Sequence, residues 1–154
     1  MSSALHVRVA TSLDLDAVCA LLAAQFGEHD IALSAAALRV AVTGLLDVPS
    51  RGAVLLAHEG DVAVGVAVLA TTWTLEHGGL VAWLDELYVS PARRNAGIGK
   101  ALLDQAIAHA RSLGCIALEL EIDEDHARAA HLYEREGFER LARTRWSRTL
   151  HPEA

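Results

Sequence analysis

The chain has 154 residues, 53% of them apolar and 21% charged, so intrinsic disorder is excluded and one domain spanning 1–154 is expected. No stretch approaches the ~20 consecutive apolar residues of a membrane span, and Met1 to Arg8 lacks the pattern of a signal peptide, so a cytoplasmic protein is expected. A net charge of −7 argues against nucleic acid as a partner.

Leu5 to Ala10 reads as a first strand, after which Thr11 or Ser12 caps a helix carrying Asp14 and Asp16 in its first turn. Leu15, Val18, Leu22 and Phe26 give that helix a buried stripe. Ser34 opens a second helix through about Leu46, ahead of Pro49. Ala53 to His58 and Val62 to Trp73 are apolar, β-branched runs joined at Glu59-Gly60-Asp61, a hairpin signal. Leu80 to Val89 is a fourth strand, halted by Pro91. A loop from Arg93 to Gly99 then opens a helix to about Leu113, with Gly114 placed to end it in left-handed conformation. Residues 116–122 alternate as a strand, Asp123 to Asp125 can cap a helix from about His126 to Glu136, and Phe138 to Leu150 looks extended. The order is an α/β mix, and the βαβ unit at 80–122 makes its two strands parallel neighbours.

Cys19 and Cys115 lie far apart, form no zinc-type spacing and read as buried core thiols. His126 and His131, five apart, share no helix face, so no metal site is expected.

The loop Arg94-Asn95-Ala96-Gly97-Ile98-Gly99 leads from a strand into a helix, where outward-facing amides make an anion site. Gly97 and Gly99 remove side chains that would obstruct a phosphate, and Arg94 and Lys100 add charge at either end. A Walker A loop is excluded by Arg94 and Ala101 at its glycine and hydroxyl positions, and a Rossmann fingerprint by Leu102 at its third glycine.

Arg94-x-x-Gly97-x-Gly99, approached by Leu87-Tyr88-Val89-Ser90-Pro91, resembles motif A of the GNAT N-acetyltransferases. Ala129 followed by Leu132-Tyr133-Glu134-x-x-Gly137-Phe138 resembles their motif B. The resemblance covers nearly the whole chain. It implies a GNAT fold, with a mixed sheet of six or seven strands, splayed parallel fourth and fifth strands and about four helices. It also implies acetyl-CoA as cosubstrate, with pantetheine pairing with the backbone of Leu87, Tyr88 and Val89, and pyrophosphate on the amides of Arg94, Asn95, Ala96, Gly97, Ile98, Gly99 and Lys100. Tyr133 would point at the thioester sulfur. Asn95 stands where the family often has Gly, a substitution that tolerates left-handed backbone. His126 stands where the family often has an Asn that contacts the cofactor. The short tail suggests a seventh strand that is truncated, merged into a hairpin or supplied by a partner, and homodimerisation is a family tendency.

Acyl transfer from a thioester to an amine requires deprotonation of an ammonium with pKa around 10, a donor for the developing oxyanion, and a proton for the leaving thiolate. A backbone N–H near Val89 suits the oxyanion and Tyr133 the thiolate. Glu86 is the candidate base, with water as an alternative relay. Strict alternation puts it on one face with Leu84 and Tyr88, and Asp85 on the other with Leu87 and Val89. Glu119 and Glu121 share a face of the next strand and line either the cleft or a solvated rim. Trp73 and Trp83 are expected in the core, or else as an apolar wall near the amine.

Residues 1–90 hold three basic and ten acidic residues, whereas 91–154 hold ten of each. The second half therefore suits the anionic cosubstrate, and the first half, which supplies substrate contacts in this fold, suits a small cationic amine. Protein N-termini or lysines are the alternative acceptors. A non-enzymatic acetyl-CoA sensor or structural subunit is the alternative class.

Overall fold

The computed structural model describes residues 3–123 and 126–151, which belong to two compact units, Met1–Glu121 and Ile122–Ala154. In the first unit, β1 (Leu5–Val9), β2 (Gly52–Glu59), β3 (Val62–Thr74), β4 (Gly79–Val89) and β5 (Ala117–Glu119) form one sheet in sequence order. The first four strands are antiparallel neighbours, and β4 and β5 run parallel. Three helices belong to this unit, α1 (Leu15–Glu28), α2 (Ala35–Leu46) and α3 (Ile98–Ser112).

Local chemistry fixes the helix starts. Thr11 caps a short 3-10 turn that feeds α1, its hydroxyl accepting from the Leu13 N–H at 3.3 Å while its own N–H donates to Asp14 at 2.8 Å. Arg8 grips the same carboxylate at 2.6 and 2.8 Å and holds the Asp14 pKa well below its usual range. Ser34 caps α2 by accepting from the Ala37 N–H at 3.1 Å.

The sheet has helices on both faces. Val18, Leu21 and Leu22 of α1 and Leu38 and Val42 of α2 pack with Val54, Leu56, Val66, Val68 and Tyr88. On the opposite face α3 buries Ile98, Leu102, Leu103, Ala106 and Ala110. The approach there is close: a Cβ at Gly65 of β3 would lie 2.9 Å from the Leu102 side chain. Cys19 and Cys115 are only half-buried; Cys19 packs against the core from within α1, and Cys115 lies between α3 and β5.

The α/β class, the parallel pair and the helix boundaries agree with the sequence expectations, but the strand count does not. Five strands form among the described residues, not six or seven. The expected strand at 116–122 contracts to three residues, and Phe138 to Leu150 forms no strand. Leu141, Trp146 and Leu150 are all exposed, so that segment buries no face that would hold a register. Part of the expected Asp123–Asp125 cap lies outside the described residues. In the second unit α4 spans Ala127–Arg135. Among the described residues no helix is long and apolar enough to cross a membrane.

Candidate active site

Three features of the first unit converge on the outer end of β4. The first is a change of register. Leu69 pairs with Leu84 but Val68 pairs with Glu86, leaving Asp85 as an extra residue on β4. Such a bulge resets the alternation of faces. Cross-strand partners share a face, so Glu86 and Tyr88 lie with Val68 and Val66 toward α1, while Leu84 lies with Leu69 on the α3 side. The expected grouping of Leu84 with Glu86 and Tyr88 is therefore wrong, because strict period-two alternation does not survive an inserted residue.

The second feature is the loss of the neighbouring strand. The β4–β5 ladder runs from Val81/Ala117 to Trp83/Glu119 and stops. From Leu84 to Val89, β4 has no strand pairing on that side among the described residues, an open edge of the kind the expected splay requires along Leu87 and Val89, with the Tyr88 backbone turned to β3 and the Val89 carbonyl taken by Arg94.

The third is the loop into α3. Gly97 has φ 79° and Asn95 φ 64°, both left-handed, so Asn95 does adopt the backbone that its place in the motif demands. Gly97 occupies the N-cap of α3 with no side chain capping it, and space beside it is open. The first-turn amides of Ile98, Gly99 and Lys100 thus form an uncapped helix N-terminus with left-handed entry, which fits a pyrophosphate. Ala96 is exposed in the same loop. The loop is fastened at its start by Arg93, which pairs with Glu59 at 2.6 Å, and by the Ser90 N–H donating to the Val64 carbonyl at 2.8 Å.

Two charged side chains expected at the phosphate are engaged elsewhere. Lys100 pairs with Asp104 at 2.8 Å. Arg94 donates to the Val89 carbonyl at 3.0 Å, pairs with Glu28 of α1 at 2.8 and 3.0 Å, and lies 5.4 Å from the centre of the Tyr88 ring. Tyr88 also donates to Glu28, at 3.2 Å. Arg94 holds the Glu28 pKa down, and burial together with the Glu28 charge holds the Tyr88 pKa up.

Glu86 is the most perturbed carboxyl on this face. Burial, reinforced by the neighbouring Asp85 charge, pushes its pKa up to about 7, and a hydrogen bond from the Gln25 side chain of α1 opposes the rise. A carboxyl poised near neutrality is suited to general-base work. Gln25 and Glu28 escaped the sequence reading. Gln25 falls three residues after Leu22 on the apolar stripe of α1, and a buried amide in that register was the available signal.

The other expected residues lie elsewhere. Glu119 is 2.5 Å from His77 of the β3–β4 turn and is thus ion-paired when that imidazole is protonated. Trp73 is 72% exposed, so it packs in no core, and Trp83 is half-buried. In the second unit Tyr133 stands on α4 in an edge-to-face contact with Phe138, centroids 5.6 Å apart. Burial raises its pKa, so the hydroxyl keeps its proton at neutral pH. His126 occupies the N-cap of α4, exposed, and makes no side-chain cap.

The chain is similar to known proteins along most of its length. Residues 15–138 match the model of the acetyltransferase (GNAT) family. A mycothiol acetyltransferase of Geodermatophilus obscurus is 38% identical over 94 residues, covering 56% of this chain and 29% of that protein. The streptothricin acetyltransferase of Streptomyces lavendulae is 34% identical over 92 residues, covering 60% of this chain and 46% of that protein. The chain thus spans less than half the length of these curated relatives. Among solved structures, an integron cassette protein from the mobile metagenome of Cole Harbour Salt Marsh superposes with TM-score 0.85 at 31% identity, over 96% of this chain and 91% of that one.

Proposed function

The chain belongs to the GNAT family of acetyltransferases, and from that premise we propose that it transfers the acetyl group of acetyl-CoA to a primary amine, a small cationic one, by direct attack within a ternary complex. The observation that carries this reading is Glu86, a half-buried carboxyl with pKa about 7 beside the free edge of β4. The bound cosubstrate supplies an activated acyl group on a thiol leaving group. Glu86 takes the proton from the incoming ammonium, directly or through one water, and passes it to solvent. The free N–H groups of β4 near Val89 serve as donors to the acyl oxygen. Tyr133, protonated at neutral pH, delivers a proton to the departing sulfur. Gly97, Gly99 and the first-turn amides of α3 hold the pyrophosphate.

Asp85 and Glu86 side by side, with net −7 over residues 1–90, support a cationic acceptor. Two relatives named for mycothiol and streptothricin support a small molecule over a protein acceptor. The test is CoA thiol release against amines of graded charge, for wild type and Tyr133→Phe. Polycationic amines should react best, and the variant should bind CoA yet turn over slowly. Preference for neutral or anionic acceptors removes the charge argument. Release with protein N-termini or lysines alone selects the protein-acceptor alternative, and CoA binding with no release at all selects the non-catalytic one. We further propose a homodimer, an idea that a monomer in sedimentation at micromolar concentration would remove.

A further inference from the structure

Gln25 is the one buried polar side chain among the described residues, 8% exposed on the inward row of α1 with Val18, Leu21 and Leu22. Its Oε1 is buried with no hydrogen-bond partner, an unfavourable state that a Leu or Met at this position would avoid. Gln25 lies one helical turn before Glu28, which accepts from Tyr88, two residues beyond Glu86 on the same face of β4, so its amide is set toward the Glu86 carboxyl and holds that pKa down. A carboxylate can only accept hydrogen bonds, whereas a protonated carboxyl also donates one. An amide offers both functions, and rotation about its last torsion exchanges them.

We propose that Gln25 is a positioning residue for Glu86 that serves both protonation states of that carboxyl. With Glu86 ionised, the Gln25 Nε2–H donates to it. When Glu86 has taken the proton of the ammonium, its O–H donates to Oε1, and the orphaned acceptor gains its partner. The proton then leaves to solvent and the amide returns. The inference rests on Glu86 acting as the base. Other groups around Glu86 do not perform this task. Asp85 beside it on β4 carries like charge, Val68 opposite on β3 is apolar, and Glu28, Arg94 and Tyr88 on the same side are bonded to one another.

The test is NMR titration of the full chain without cosubstrate, following the Glu86 side-chain carboxyl and the Gln25 side-chain amide from about pH 5 to pH 9. In wild type the Gln25 amide signals should move with the Glu86 midpoint, near pH 7, and stay flat in Glu86→Gln. In Gln25→Met the Glu86 midpoint should rise, because the charge-assisted bond to the ionised carboxylate is the stronger of the two and its loss leaves burial and Asp85 unopposed. Flat Gln25 signals in wild type overturn the proposal, even if the Met variant does not fold. An unmoved midpoint in a folded Gln25→Met variant overturns it as well. The pH–rate profile of acetyl transfer separates the two levels. If the carboxyl midpoint moves and the rate limb does not, the pairing stands and Glu86 is not the base.

Discussion

The two halves of β4 share one strand and differ in what surrounds them. From Gly79 to Leu84 the strand pairs with β3 on one side, is joined to β5 as far as Trp83, and buries Val81, Ala82 and Leu84. From Glu86 to Val89 it keeps β3, loses β5, and carries a carboxyl where an apolar residue would pack better. Asp85 marks the change, as the inserted residue that turns Glu86 toward α1. On the function proposed above, the sheet acquires its site here without a loop insertion. One extra residue re-aims a side chain, and one strand that ends early leaves backbone groups for a ligand.

That contrast can be broken at several points. Glu86→Gln should lower kcat/KM at neutral pH by about 10²–10⁴-fold with CoA affinity unchanged, measured by thiol release and calorimetry. The same substitution should stabilise the fold. The Glu86 pKa of about 7 exceeds its ordinary ~4.3, so folding takes up a proton between these values and stability falls as pH rises through that window. Removing the group should therefore gain on the order of 1 kcal/mol at pH 8 after allowance for solvent screening, read from denaturant midpoints. Leu84→Ala, in the inner half, should cost about 2–4 kcal/mol in the same assay and leave the pH–rate limb in place. Gly97→Val forces a β-branched residue into left-handed backbone, so CoA affinity should fall roughly tenfold or more. Asp85→Asn, which removes a like charge, should lower the Glu86 limb by less than about one pH unit.

Much of the inner half, and of the frame around it, was legible in the sequence. The cap at Thr11 or Ser12, of which the structure uses Thr11, the opening of the second helix at Ser34, the left-handed Gly114 and the parallel pair followed from local chemistry and chain order. The outer half was legible in its residues but not its geometry. Glu86 stood out as a carboxylate in an apolar strand, yet the bulge leaves no compositional trace, so its face-sharing partner Leu84 was misassigned. Glu28 and Arg94 are 66 residues apart, and no sequence period links them. Trp73 escaped because an aromatic at the outer end of a strand looks like core until the covering layer is seen to stop short.

The outer half of β4 is proposed to supply the base for acetyl transfer. The pH dependence of CoA thiol release, for wild type and Glu86→Gln side by side with a cationic amine, tests it most directly. Wild type should show a limb near pH 7 that is absent from the variant, which should retain only the slow limb set by the amine itself. An identical limb and rate in Glu86→Gln would contradict it.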